Sequence, residues 1–202
     1  CIRDRRRVLH GYLACTSFAD WNIGRVIKAL DESKHASNSI VIVTSDNGYH
    51  VGEKSHYGKS TLWEKSANVP LTVRLRRNAH AGKTCEAAVG LIDLYPTLKA
   101  QCGLRIPPQQ LDGRDMSPLL SDPMLQWKHP AITTYGQGRF SVRSGPWRYI
   151  HYPDGGEELY DHRSDPHEFQ NLSNETIHHE LKQSLRKLIP KKWEPSLGGR
   201  KG

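Results

Sequence analysis

Apolar residues recur at mostly helical spacing over 12–30, where Leu13, Phe18, Trp21, Ile23, Val26, Ile27 and Leu30 predict a helix, and the polar stretch 31–38 ends it. The next run, Ile40-Val41-Ile42-Val43-Thr44, is apolar throughout, as expected for an inner strand covered on both faces. Residues 60–66 predict a short helix, with Ser60 as its cap and Glu64 close behind. Residues 69–75 predict a second strand, with Pro70 confined to its start. Residues 86–102 read as a turn leading into a helix that Pro96 opens, because proline is tolerated in a first turn. The texture then changes. After a turn-rich passage, short strand-like segments at 131–135, 140–143, 147–152 and 158–160 are separated by Gly- and Pro-rich turns, and helical periodicity resumes over 177–189, ending before Pro190. The order predicts an α/β part over 1–110 and a small antiparallel sheet with a carboxyl-terminal helix over 111–202.

Composition changes this picture little. With 202 residues, 36% of them hydrophobic, the chain is long enough to bury a core. No apolar run approaches the roughly 20 residues of a membrane span. The formal charge of +8 is spread over clusters at Arg3, Arg5, Arg6 and Arg7, at Arg74, Arg76 and Arg77, and at Lys187, Lys191, Lys192, Arg200 and Lys201. Such a balance suits an anionic partner, although solvated basic surface is the commoner reason for it. No aromatic-interleaved basic stripe or zinc-finger spacing supports nucleic-acid binding. Cys1, Cys15, Cys85 and Cys102 show no Cys-x-x-Cys spacing, which argues against zinc and thioredoxin chemistry. Cys15 reads as a buried helical thiol, and Cys85 and Cys102 either bridge or stay free.

The candidate chemistry lies in the loop after the first strand. Ser45-Asp46-Asn47-Gly48-Tyr49-His50 follows the β-branched run directly, and Gly58-Lys59 closes the loop. A carboxylate and an amide at a strand's carboxyl edge offer hard oxygen ligands to a divalent cation. Lys59 offers a point positive charge to an oxyanion. The same Asp-Asn-Gly is also an ordinary turn signal.

The longer pattern separates these readings. The stretch IVIVTSDNGYHVGEKSHYGKSTLWEKSANVPLTV, residues 40–73, resembles the sulfatase family of the alkaline-phosphatase-like superfamily in its Ser-Asp-Asn-Gly, Gly-Glu, Gly-Lys, Leu-x-Glu-Lys-Ser and Val-Pro-Leu blocks. The resemblance continues through GLIDLYPTLKAQCGL, LDGRDMSPLL and the ending YDHRSDPHEFQNL, and within the family it points to bacterial iduronate-2-sulfatase-like and choline-sulfatase-like proteins. It implies an alkaline-phosphatase-like sandwich, a mainly parallel sheet flanked by helices, ahead of the small terminal sheet. It implies that Asp46 and Asn47 are metal ligands, for Ca²⁺ or alternatively Mg²⁺, and that Lys59 contacts the sulfate. His50 and His56 are candidates to touch substrate or protonate a leaving oxygen. Trp63 and Glu64 read as packing and capping residues.

The Cys/Ser-x-(Pro/Ala)-Ser-Arg segment whose first residue becomes formylglycine does not occur in the 202 residues, nor does the family's amino-terminal pair of metal-binding aspartates. The simplest expectation is the carboxyl-terminal portion of a longer sulfatase, inactive alone and acting on a sulfate ester, preferably of a sulfated saccharide. Family resemblance implies periplasmic or secreted export. The alternatives are another superfamily hydrolase, such as a phosphodiesterase, and a non-catalytic glycan-binding protein.

Overall fold

The computed structural model describes residues 2–75, 79–105 and 110–191. Arg76, Arg77, Lys192, Arg200, Lys201 and Cys1 lie outside the described residues. The chain forms two compact units, one from 1–59 and 68–78, the other from 60–67 and 79–202. The second unit takes in residues 79–110 as well as the eight-residue segment 60–67.

In the first unit, helix α1 (Ile2–Asp31) starts earlier than its apolar periodicity suggests, since the arginine-rich first turns are themselves good helix formers. Its large apolar residues stay in solvent: Phe18 is 68% exposed and Trp21 59%. Cys15, expected to be buried, is exposed for the same reason. Strand β1 (Val41–Thr44) pairs antiparallel with β4 (Leu71–Arg74), Val41 opposite Arg74 and Thr44 opposite Leu71. Parallel pairing and full coverage of β1 are not seen among the described residues. Parallel neighbours need a crossover of a dozen or more residues, usually a helix. Here the connection, residues 45–70, is spent on a two-residue-strand hairpin and holds no α-helix longer than the four-residue α2 (Glu64–Ala67). Arg74 grips Asp31 with both guanidinium ends, at 2.7 and 3.1 Å, tying β4 to the end of α1.

In the second unit, β5 (Ala131–Thr134), β6 (Phe140–Ser144), β7 (Trp147–His151) and β8 (Glu157–Asp161) form an antiparallel meander in that order. The register aligns Val142, Tyr149 and Leu159 in one row and Ser141, Ile150 and Glu158 in the next. Side chains alternate across a sheet, so these rows face opposite ways. The first packs with Leu185 of α5 (His179–Arg186), and the second packs with Leu62 and Trp63 of the inserted segment. Both faces of the small sheet are therefore covered. Fully burying a side chain such as Ile150 contributes about 1.5–3 kcal/mol.

Ser60 does not cap α2. Its φ of 74° is left-handed, and the helix begins at Glu64. Pro96 sits in the first turn of α3 (Leu94–Gln101), as expected. The short α4 (Ser117–Ser121) carries no long apolar period and was not foreseen. Buried Asp93 accepts the Gly90 and Arg114 amides at 2.8 and 2.7 Å, and Thr97 Oγ1 accepts the Met116 amide at 2.9 Å. Gly113 is required here, because a Cβ would lie 2.1 Å from the Ile92 carbonyl oxygen.

Candidate functional site

The chain leaves β1 and turns at once. Ser45 Oγ donates to the Asn47 carbonyl at 2.8 Å, and Asn47 Nδ2 donates to the Gly48 carbonyl at 2.9 Å. With its amide nitrogen engaged, Asn47 presents Oδ1 as its remaining polar atom. Lys59 Nζ donates to that Oδ1 at 3.0 Å, closing a loop across twelve positions of the chain. Asp46 is exposed and makes no hydrogen bond or ion pair among the described residues. The structure thus brings Asn47 and Lys59 into contact and leaves the neighbouring carboxylate open.

Between them, β2 (His50–Val51) and β3 (Tyr57–Gly58) pair as a minimal antiparallel hairpin. The Gly52 amide donates to the His56 carbonyl at 2.9 Å, and Glu53 accepts the Val51 amide at 2.7 Å. Gly52, Lys54, Ser55, Gly58 and Ser60 all have positive φ, three of them not glycine. Left-handed conformations in non-glycine residues cost about 1–3 kcal/mol each and concentrate where a loop must hold a set shape. His50 is fully buried, not a solvated loop residue, and its ring stands edge-on to His56 at 5.0 Å. His56 Nε2 lies 3.2 Å from the Lys59 carbonyl, which only accepts, so that nitrogen carries the proton. His56 therefore braces the backbone of Lys59.

The donor set suits a hard cation, since a carboxylate and an amide oxygen on consecutive residues offer two oxygens. The Lys59 ammonium rests on one of them, so the cation and the lysine compete for Asn47 Oδ1.

A second charged constellation escaped the sequence reading. Arg148, 3% exposed on β7, donates to Glu64, lies 2.6 Å by its Nε from Glu168 Oε1, and donates to Ser141 Oγ at 2.6 Å. Glu168 also accepts the Glu64 amide at 2.8 Å and contacts His162 Nε2 at 2.9 Å. Burial pushes the Glu168 carboxyl up, but the His162 hydrogen bond, the Arg148 charge and the Glu64 amide outweigh it and hold it below its ordinary value. Glu64 is therefore an ion-pair partner and not a helix cap, while Trp63 Nε1 donates to Glu158 at 2.7 Å. Ligand atoms of Glu64, His162 and Glu168 lie within 4.8 Å of one another, the spacing of a metal cluster. Arg148 pairs with both carboxylates and Arg143 lies 4.0 Å from Glu64, so the arrangement is a buried ion network. Its only sequence signal was that Glu64 and Glu168 fall inside the family-like blocks.

Comparison with known proteins gives the family. Residues 1–104 match the sulfatase family. A sulfatase of Formosa agariphila is 36% identical over 186 residues, spanning 92% of this chain and 36% of the relative. An N-acetylglucosamine-6-O-sulfatase of Bacteroides thetaiotaomicron is 26% identical over 197 residues, spanning 91% of this chain and 35% of the relative. A solved structure described in complex with its substrate D-glucosamine-2-N,6-O-disulfate superposes with a TM-score of 0.78 at 27% identity, covering 88% of this chain and 38% of that one. The chain thus spans little more than a third of the length of these relatives. No helix among the described residues is long and apolar enough to cross a membrane. On this family match, and on a fold shared with solved sulfatases, the chain belongs to the sulfatase family.

Proposed function

We propose that Asp46, Asn47 and Lys59 form part of the active site of a sulfuric ester hydrolase acting on a sulfated sugar, completed by residues outside these 202. The observation that carries the proposal is the 3.0 Å contact of Lys59 Nζ with Asn47 Oδ1, made by a loop with two non-glycine residues, Lys54 and Ser55, at positive φ. Asp46 and Asn47 would hold Ca²⁺, or Mg²⁺ in its place. When present, the cation supplies neutralisation of the sulfuryl oxygens, and a formylglycine outside the chain supplies the nucleophile.

The chain's own residues do the rest. Lys59 places a fixed positive charge where the sulfuryl group carries negative charge, an interaction worth about 10²–10³ in rate for comparable oxyanion donors. His56 holds the Lys59 backbone and keeps its other ring nitrogen as an acceptor. Buried His50 packs against the His56 ring and orients it, which places it behind the reacting groups.

The exposed apolar residues of α1 and the single paired edge of β1 support the expectation that more of the α/β sandwich covers this unit, since soluble surfaces rarely leave large apolar patches bare. Sulfated sugars are favoured by the net charge of +8 and by the sugars named for two of the relatives above. Likeness to iduronate-2-sulfatase and choline-sulfatase rests on the 50–64 run and the YDHRSDPHEFQNL ending, and export to the periplasm or beyond fits such a substrate.

The test compares the 202-residue chain with a longer polypeptide carrying a formylglycine segment. The short chain releases no sulfate from an aryl sulfate and binds Ca²⁺ weakly. The long form turns over, and Lys59→Ala lowers its kcat/KM about 100-fold. Full activity of the Lys59→Ala form would overturn the assignment.

A further inference from the structure

The second unit holds a cavity of about 590 Å³ on the α5 side of the small sheet, within the roughly 300–1,000 Å³ range of small-molecule sites. Three separate stretches build it: the turn between β5 and β6, the end of β7, and the chain leaving α5. Phe140, Pro153, Ile189 and Pro190 supply apolar walls, and Gln137, His151, Arg186 and Lys191 supply the polar lining. The turn fits closely at its base. A Cβ on Gly138, whose φ is 73°, would lie 3.2 Å from Pro153 Cγ, so glycine is required there.

Among the described residues, the polar lining contains two permanent cations and no carboxylate. Arg186 is 60% exposed and reaches Glu157 only at 3.7 Å, beyond hydrogen-bond length, while Glu157 is engaged at 2.7 Å by Lys182. Arg186 thus keeps a long ion pair with Glu157, while its guanidinium makes no hydrogen bond among the described residues. His151 adds an independent sign. Its Nδ1 is buried with no hydrogen-bond partner among the described residues, a state that costs about 1–3 kcal/mol. Flat apolar walls beside cationic and amide donors match a pyranose ring bearing an anionic substituent.

The geometry points to this cavity as a second binding site for an anionic saccharide, separate in the chain from the Asp46–Lys59 loop. Arg186 and Lys191 pair with its sulfate or carboxylate, Gln137 and His151 bond its hydroxyl groups, and Phe140 and the two prolines bear the ring. The choice of saccharide rests on the sulfatase reading. The cationic, carboxylate-free lining stands without it.

Calorimetric titration of the 202-residue chain with a trisulfated glucosamine–uronate disaccharide, and with its unsulfated counterpart, tests the site. Tighter binding of the sulfated form is expected, at least about tenfold weaker in the double variant Arg186→Ala, Lys191→Ala. The single exposed change Lys191→Glu, which touches no core residue, is expected to weaken binding while leaving the thermal midpoint in place. Equal affinity for both disaccharides, or binding lost in Lys59→Ala but kept in the double variant, overturns the inference. The latter outcome leaves the sulfatase reading standing. Conversely, a long form without turnover whose short chain still binds through Arg186 and Lys191 removes the catalytic reading and keeps the site.

Discussion

The Asp46–Asn47–Lys59 loop and the Glu64–Arg148–Glu168 network contain the same kinds of group in opposite states of completion. In the network, two carboxylates enclose one guanidinium that is 3% exposed, and a backbone amide, a serine hydroxyl and a histidine fill further positions. In the loop, one carboxylate has no partner among the described residues, and one exposed lysine touches a single amide oxygen. Buried charge must be paired at every position, because an orphaned ion costs several kcal/mol. An exposed site can leave valences open at little cost, and open valences are what a cation or a sulfate uses. Completeness therefore separates groups that hold the fold from groups that wait for a ligand.

The largest effect that tests this contrast is on stability. Arg148→Ala strands two carboxylates and is expected to cost about 3–5 kcal/mol in denaturant unfolding, whereas Lys59→Ala leaves stability unaltered. Equal, small losses for both substitutions would erase the distinction. A smaller effect concerns acid. Since the folded Glu168 carboxyl sits below its ordinary value of 4.5, its contribution is fully present above that pH and is lost as pH falls through the folded value. Unfolding free energy measured between pH 6 and pH 3, about the span these carboxylates cover, should fall less steeply for Glu168→Gln than for the parent chain. The smallest effect belongs to Asp31 and Arg74. The hydrogen bond from Arg74 lowers the Asp31 carboxyl, yet both groups are half-exposed, so Arg74→Ala should leave the thermal midpoint nearly unmoved. A marked drop there would mean that the link between α1 and β4 supports the first unit.

Much of the small sheet was legible because its turns are chemically explicit. Gly136, Gly138, Gly145 and Gly155 all adopt positive φ at its connections, and the strands between them fall where the sequence places them. The site loop was legible in residue type, since Asp-Asn-Gly after β1 and a lysine twelve positions on carry recognisable chemistry. Its shape was not. Two-residue strands such as β2 and β3 have no period to detect, and the burial of His50 depends on the fold of the hairpin that carries it.

The amino-acid sequence by itself determined the local alternation, the turns, the family and the identity of the candidate ligands, because each is written in neighbouring residues. Only the tertiary structure decided that residues 60–67 leave their sequence neighbours to cover the small sheet, that Arg148 meets Glu64 across 84 positions, and that Arg186, Lys191 and His151 line one cavity. These contacts join segments far apart in the chain, and the free energy that selects them comes from filling both faces of a sheet and pairing every buried charge.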